Sequence, residues 1–251
     1  MKIAIIGYGK MGHMIEEVAR SRGHEIAGIV DPMYEGPMYD VQRIDFDSEA
    51  FRSADVAIEF TTPTTAEDNI RKAWAQGVPV VSGSTGWNPE ELKIKNYKLK
   101  IKDNKAIIAD ETGKVMLVWS SNYSVGVNIF FELNKFLAQK MKNLTPTLSQ
   151  GEGEKGEGYM PSIKEIHHIH KLDKPSGTAK TLAEQIANPT PALPSREGVE
   201  IPIESIREGE VPGTHEVTWD SEEDTIVITH IAKGRRGFAL GAVLAAEEVT
   251  R

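Results

Sequence analysis

The first 31 residues constrain the fold more than any other stretch. Lys2–Ile6 reads as a buried strand, Gly7-Tyr8-Gly9-Lys10-Met11-Gly12 as a glycine turn, and the next residues as a helix. Met11, Met14, Ile15 and Val18 give that helix its apolar face, with Glu16, Glu17 and Arg20 outside it. Glu25–Val30 is a second strand, with Asp31 at its tip, 19 residues beyond Gly12. A G-x-G-x-x-G spacing alone is a weak signal. Between a strand and a helix, with an acid ending the next strand, it becomes the dinucleotide fingerprint. The glycines admit a pyrophosphate, the helix N-terminus faces it, and the acid takes the ribose hydroxyls. An acid at Asp31 repels a 2′-phosphate, and Pro32 stands where an arginine might compensate. NADH is therefore expected to be used well, with Lys10 leaving NADPH possible.

Further strand–helix alternation extends this half. Asp55–Phe60 reads as a strand ending in Thr61-Thr-Pro63-Thr, followed by a helix with Ala66, Ile70, Ala73 and Trp74 inward. Val78–Ser82 is a strand closing on Gly83-Ser84-Thr85-Gly86, and Val115–Trp119 one leading into Ser120-Ser121-Asn122-Tyr123. Small residues at successive strand tips would line the nicotinamide crevice. The lysine-rich stretch within 88–114 (Lys93, Lys95, Lys98, Lys100, Lys102, Lys105) reads as a solvated face.

A second centre lies at Glu165-Ile-His167-His168-Ile-His170-Lys171-Leu-Asp173-Lys-Pro175-Ser176-Gly177-Thr178-Ala179. Ala179, Leu182, Ala183 and Ile186 form one helical face, so Ser176–Thr178 sits at a helix N-terminus, which favours a carboxylate or phosphate. Lys171 adds a cation, and the imidazoles can transfer protons near neutral pH. On a fully extended strand His167 and Lys171 would lie about 13 Å apart, at roughly 3.3 Å per residue. The strand is therefore expected to end near His168, with the chain curling back over His167. Alternate histidines could instead share a metal ion, but the lysine and anion cradle offer no further ligand, so no metal is expected. A polar strand edge before an ordinary helix is the remaining structural reading.

Composition narrows the classes. The chain has 251 residues, 29 basic and 37 acidic, for a formal charge of −8, with no long basic run. That disfavours a nucleic-acid partner. No cysteine is present, and no apolar run approaches the ~20 residues of a spanning helix. No membrane association and a cytoplasmic location are expected.

The expected architecture is α/β. A Rossmann-type dinucleotide-binding domain comprises 1–122 and 234–251. An α+β substrate and oligomerisation domain, 123–233, carries a mixed or antiparallel four-stranded sheet. That sheet combines the strand before His167 with Glu200–Arg207, His215–Asp220 and Thr225–Ala232. Helix 127–141, with Ile129, Phe130, Leu133, Phe136 and Leu137 apolar, opens it, and the apolar helix Gly237–Glu248 returns to the first domain. Segments 144–158 and 188–198 read as mobile surface insertions. Within them 145–153 and 190–198 share five of nine residues.

With these residues assembled, the chain resembles the dihydrodipicolinate reductase family along nearly its whole length. The resemblance rests on Gly7–Gly12, Phe60-Thr-Thr-Pro63, Gly83–Gly86, Ser121–Asn128, Phe238–Val243 and above all Glu165–Ala179. Ser162, Lys174 and Ser84 depart from the usual pattern without removing a proposed catalytic group. The resemblance implies hydride transfer from NADH or NADPH to a cyclic imine dicarboxylate, in the diaminopimelate route to lysine. It implies catalytic roles for His167 and Lys171, and substrate contacts from His168, Gly177 and Thr178, to which the local reading adds Ser176. It implies cofactor contacts along Gly7–Gly12, Asp31, Gly83–Thr85 and Ser120–Tyr123, and a homotetramer. A related dehydrogenase of amino or imino acids would not need the His167–Thr178 cluster, and an NAD(H)-sensing regulator leaves Lys171 unexplained.

Overall fold

A computed structural model of the protein describes residues 1–36, 41–92, 97–102, 105–141, 158–188 and 200–251. Lys93 and Lys95, and the expected insertions at 144–158 and 188–198 with their shared pattern, lie outside these residues apart from Gly158 and Asn188. The chain divides into two compact units, Met1–Val125 with Arg235–Arg251, and Gly126–Gly234.

The first unit contains strands β1 (Lys2–Ile6), β2 (Glu25–Val30), β3 (Val56–Glu59), β4 (Val80–Ser82), β5 (Lys98–Lys102), β6 (Lys105–Ala109) and β7 (Val115–Ser120). Its helices are α1 (Lys10–Ser21), the short α2 (Glu49–Arg52), α3 (Pro63–Ala75) and, from the end of the chain, α6 (Arg236–Val249). The sheet runs β2-β1-β3-β4-β7-β6-β5, parallel through β7 and antiparallel beyond it. Because α1 carries the chain from β1 to β2 and the order then reverses to β3, the switch point falls between β1 and β3. Ligands of open parallel sheets bind beyond the carboxyl ends of strands at such a point.

Alternation along β1 shows why the sheet is covered on both faces. Ile3 and Ile5 pack with Ile15 and Val18 of α1 and Ala242 and Val243 of α6, whereas Ala4 and Ile6 pack with Ile70 and Ala73 of α3. Each fully buried isoleucine contributes about 1.5–3 kcal/mol.

Lys98–Lys102 and Lys105–Ala109 pair antiparallel, with Lys98 and Lys100 exposed as expected of a solvated face. Leu99 and Ile101 alternate with lysines, a strand pattern the charge had obscured. One expectation needs correction: Glu16, expected outside the apolar face of α1, is buried, holding the Tyr8 hydroxyl and Arg20.

The second unit contains α4 (Val125–Met141, which begins at the unit boundary), β8 (Met160–His167), α5 (Gly177–Ala187), β9 (Ile203–Arg207), β10 (Thr214–Asp220) and β11 (Thr225–Ile231). Its sheet is mixed, in the order β11-β10-β8-β9, with only the β8–β9 pair parallel. Phe130 and Phe131 of α4 and Leu182 and Ile186 of α5 join Ile163, Val217 and Trp219 in one core. The inward face of α4 is shifted from the expected one: Ile129, Leu133 and Phe136 are exposed, while Asn134 is buried, donating to the Leu182 carbonyl and Gln185.

Candidate active site

In the first unit the glycine turn lies at the switch point. A Cβ on Gly7, which has φ +87°, would stand 2.2 Å from the Phe60 carbonyl oxygen, and one on Gly12 2.3 Å from the Gly7 oxygen. Both glycines permit close backbone packing. Gly9 differs, since nothing lies within 4 Å of where its Cβ would be. Gly9 also caps α1 without a side-chain hydrogen bond, and the first turn of α1 contains no acid. Open space before an uncapped helix N-terminus fits a pyrophosphate. Lys10 is exposed and Met11 half-buried beside it.

Asp31 accepts hydrogen bonds from the backbone N–H groups of Tyr8 (2.6 Å) and Met33 (2.8 Å), which ties it to the turn. The Tyr8 ring packs against His13 and Tyr34, and its phenol is pushed well above the usual range by burial and by Glu16.

The strand tips converge on an acid to which the sequence reading assigned no role. Glu59, fully buried at the end of β3, accepts from Ser82, from Ser84 (2.8 Å) and from Thr61. Ser84 is thus committed inward, while Thr85 is exposed and Gly83 lies over the Phe60 ring. Tyr123 is also internal, its hydroxyl donating to the carbonyls of Ser82 and Val118. Ser120 is buried and bonded to Asn122, and Ser121 is exposed. A lone acid ending the apolar run Val56–Phe60 was the available signal for Glu59.

In the second unit, strand alternation extends the buried stripe Pro161, Ile163 into Glu165 and His167. The strand stops at His167, and the following turn brings Lys171 near that ring. Both Glu165 and His167 face partners on neighbouring strands: β10 pairs His215 with Glu165, and β9 pairs Arg207 with His167. His215 shares its buried face with Val217 and Trp219, so its alternation was readable. Its pairing with Glu165 was not, because register depends on which strands meet.

Glu165 is the hub. Its Oε1 accepts from the Ser176 backbone N–H (3.0 Å) and from Arg207 Nη2 (3.1 Å). Its Oε2 lies 3.3 Å from His167 Nδ1 and 3.8 Å from His215 Nε2. Burial pushes the Glu165 carboxyl upward, but hydrogen bonding from Ser176 and Arg207 outweighs it, and its pKa lies below the ordinary value. Burial lowers His167, with Lys171 and Arg207 adding to the effect and Glu165 and Asp173 opposing it. Burial likewise brings His215 down to about 4, helped by His167.

Ser176 is buried and caps α5, accepting from the Ala179 N–H, with His215 Nε2 3.2 Å from the same hydroxyl. Its side chain is engaged inside the protein, whereas Gly177 is exposed and Thr178 half-buried at the helix start. Lys171 Nζ is 2.6 Å from Asp173, whose carboxyl lies below the usual range: burial opposes the shift, and hydrogen bonds from Lys171 and the Gly177 N–H outweigh it. Arg207 fixes this turn through the carbonyls of Lys171 and Asp173. His168 is half-buried, and exposed His170 lies 3.4 Å from Glu210. Among the described residues, Glu165, His167 and His215 each bring one potential metal-ligand atom within 4.8 Å of the others.

Within this unit the arrangement offers an imidazole, a cation and an anion-favouring helix start on one short turn. It can bind a carboxylate and move a proton.

Comparison with known proteins gives the same answer for both halves. Family models described as "Dihydrodipicolinate reductase, N-terminus" and "Dihydrodipicolinate reductase, C-terminus" match residues 1–123 and 126–251. A protein of Christiangramia forsetii named 4-hydroxy-tetrahydrodipicolinate reductase is 43% identical over 252 residues, covering 98% of this chain and 91% of its own. One of the same name from Anaeromyxobacter dehalogenans is 34% identical, with the same coverage. In fold, the chain is similar to a dipicolinate-bound dihydrodipicolinate reductase from Paenisporosarcina sp. TG-14, with TM-score 0.71 and 21% identity over 100% of this chain and 94% of that one.

Proposed function

The chain belongs to the dihydrodipicolinate reductase family, and from that premise we propose that it is a 4-hydroxy-tetrahydrodipicolinate reductase, forming tetrahydrodipicolinate in the diaminopimelate route to lysine. NADH or NADPH, held at the N-terminus of α1, supplies the hydride. Gly7–Gly12 carry the pyrophosphate, Asp31 the ribose, and Gly83–Thr85 with Ser120–Tyr123 shape the nicotinamide end, Ser84 and Tyr123 from within. Asp31 favours NADH.

Hydride addition to the unsaturated ring requires a proton delivered to the reduced ring. His167 or Lys171 delivers it, and Lys171 also balances charge that develops in the transition state. His168, Gly177 and Thr178 hold the substrate's carboxylates at the start of α5, which Ser176 keeps in place. The observation that carries this reading is the turn after β8, where Lys171 and the N-terminus of α5 lie beside His167.

A homotetramer formed through the second unit's sheet fits the face that no described helix covers, where Ser162, Lys164, Glu216, Thr218, Val227 and Ile231 alternate with core residues. No helix among the described residues is long and apolar enough to cross a membrane, and the cytoplasm is the proposed location.

The test follows NADH loss with substrate generated from pyruvate and aspartate semialdehyde by a coupled synthase. Turnover lost in Lys171→Ala and His167→Gln, with NADH binding kept, is the expected result. Turnover that persists in both refutes the assignment. Light scattering of the purified protein tests the tetramer.

A further inference from the structure

We propose that Glu165 is a positioning residue for this reaction, holding His167 in the Nδ1–H form and joining it to the start of helix α5. The inference rests on the reading of His167 as a proton-transfer group.

Glu165 Oε2 and His167 Nδ1 are both buried, and neither has a hydrogen-bond partner. They lie 3.3 Å apart. A buried polar atom without a partner costs about 1–3 kcal/mol, and a proton on Nδ1 serves both atoms after a slight ring rotation. Two other groups face this carboxylate: His215 Nε2, 3.8 Å from Oε2 and closer, at 3.2 Å, to the Ser176 hydroxyl, and the buried Ser205 hydroxyl on the paired position of β9.

The remaining groups keep the carboxylate charged and still. Arg207 and the Ser176 N–H hold Oε1. The groups that act on the His167 ring are Glu165, Lys171, Arg207, Asp173 and, ring to ring at 4.9 Å, His215. Nδ1–H leaves Nε2 as the acceptor in the neutral ring, on the edge beside Gly213. Ser176 N–H on Oε1 and Ser176 Oγ on the Ala179 N–H then connect this carboxylate to the first turn of α5. One buried acid thereby aligns the proton-transfer ring with the anion cradle.

Glu165→Gln and Glu165→Asp test this beside His167→Gln. In Glu165→Gln, kcat should fall at least about tenfold with NADH affinity unchanged, and the alkaline limb of the pH profile, where the proton donor is lost, should move to lower pH, since the charge that supports the imidazolium is gone. Glu165→Asp, which keeps that charge, should leave the limb in place. Nitrogen NMR of the unmodified protein, labelled at histidine, should show His167 with its proton on Nδ1, a readout that does not depend on any variant folding. A wild-type His167 protonated on Nε2, or a Glu165→Gln profile like wild type, overturns the proposal. A stoichiometric divalent metal ion that co-purifies and is lost in His215→Ala also overturns it, since the three atoms would then serve a metal. If His167→Gln itself keeps full turnover, the reading beneath the proposal fails instead.

Discussion

Gly213 offers a direct test of how tightly the His167 ring is held. Its φ is +149°, and a Cβ there would lie 3.1 Å from His167 Nε2 and 3.3 Å from Cδ2. Favourable separations are about 3.5–4.0 Å, so in Gly213→Ala the ring must yield by a few tenths of an ångström. Backbone strain contributes as well, about 1–3 kcal/mol for an L-residue held in such a region. Gly234 separates the two effects. Its φ is +157°, and nothing lies within 4 Å of its missing Cβ, so Gly234→Ala carries the strain alone.

Overpacking typically adds about 1–3 kcal/mol, and here one methyl meets one ring, so about 1 kcal/mol is expected beyond the Gly234→Ala loss. That corresponds to roughly 2–4 °C in Tm for a chain of this size. Displacing a reacting group by 1 Å can cost about 10²-fold, so a few tenths should lower kcat roughly three- to tenfold. Thermal melts and steady-state kinetics measure both, with the KM for NADH as the control that should not move. Equal kcat in Gly213→Ala and Gly234→Ala would refute the placement of His167 Nε2 against Gly213.

Acid sensitivity follows from His215. Its folded pKa is about 4 against roughly 6.5 unfolded, so the unfolded chain takes up the proton first as pH falls. The stability from the neutral buried ring is whole above pH ~6.5 and is lost progressively down to about pH 4, at most ~3 kcal/mol. Urea midpoints at the two ends of that window should differ less in His215→Gln than in wild type; an unchanged difference would contradict it. At the cofactor site, Asp31→Asn keeps the shape but drops the charge, and should raise the NADPH-to-NADH ratio of kcat/KM about tenfold, or ~1.4 kcal/mol; an unaltered ratio would show that Asp31 does not set the preference. Gly12→Ala puts a methyl 2.3 Å from the backbone oxygen of Gly7, which cannot rotate away. Titration should show NADH affinity reduced at least about tenfold, as α1 is pushed off the turn; near-normal affinity would refute that packing.

The sequence was legible wherever local pattern and tertiary environment agree. Strand, glycine turn, helix and acid in 1–31 are set by period and turn chemistry within one βαβ unit, and the Ser176 cap is set by the helix it starts. The site's supports were harder to read because they arise from register. Glu165 and His215 are 50 positions apart in sequence and meet only because β8 and β10 pair antiparallel at that register; a slip of one residue would turn every one of these side chains to the other face. Glu59 gathers Thr61, Ser82 and Ser84 in the same way, from two parallel strand ends. The pairing of Lys98–Lys102 with Lys105–Ala109 went unread for the opposite reason, since its alternation was local but diluted by lysines. Both acids share a further property: each is a buried carboxylate in the inward-facing stripe of its strand. Because burying a carboxylate is costly unless partners surround it, an acid at the end of a buried strand implies donors from neighbouring strands before any of them can be identified. Glu59 could have been singled out by that rule alone, and the same rule gives Glu165, which heads the motif of the second unit, a reason to be surrounded by donors.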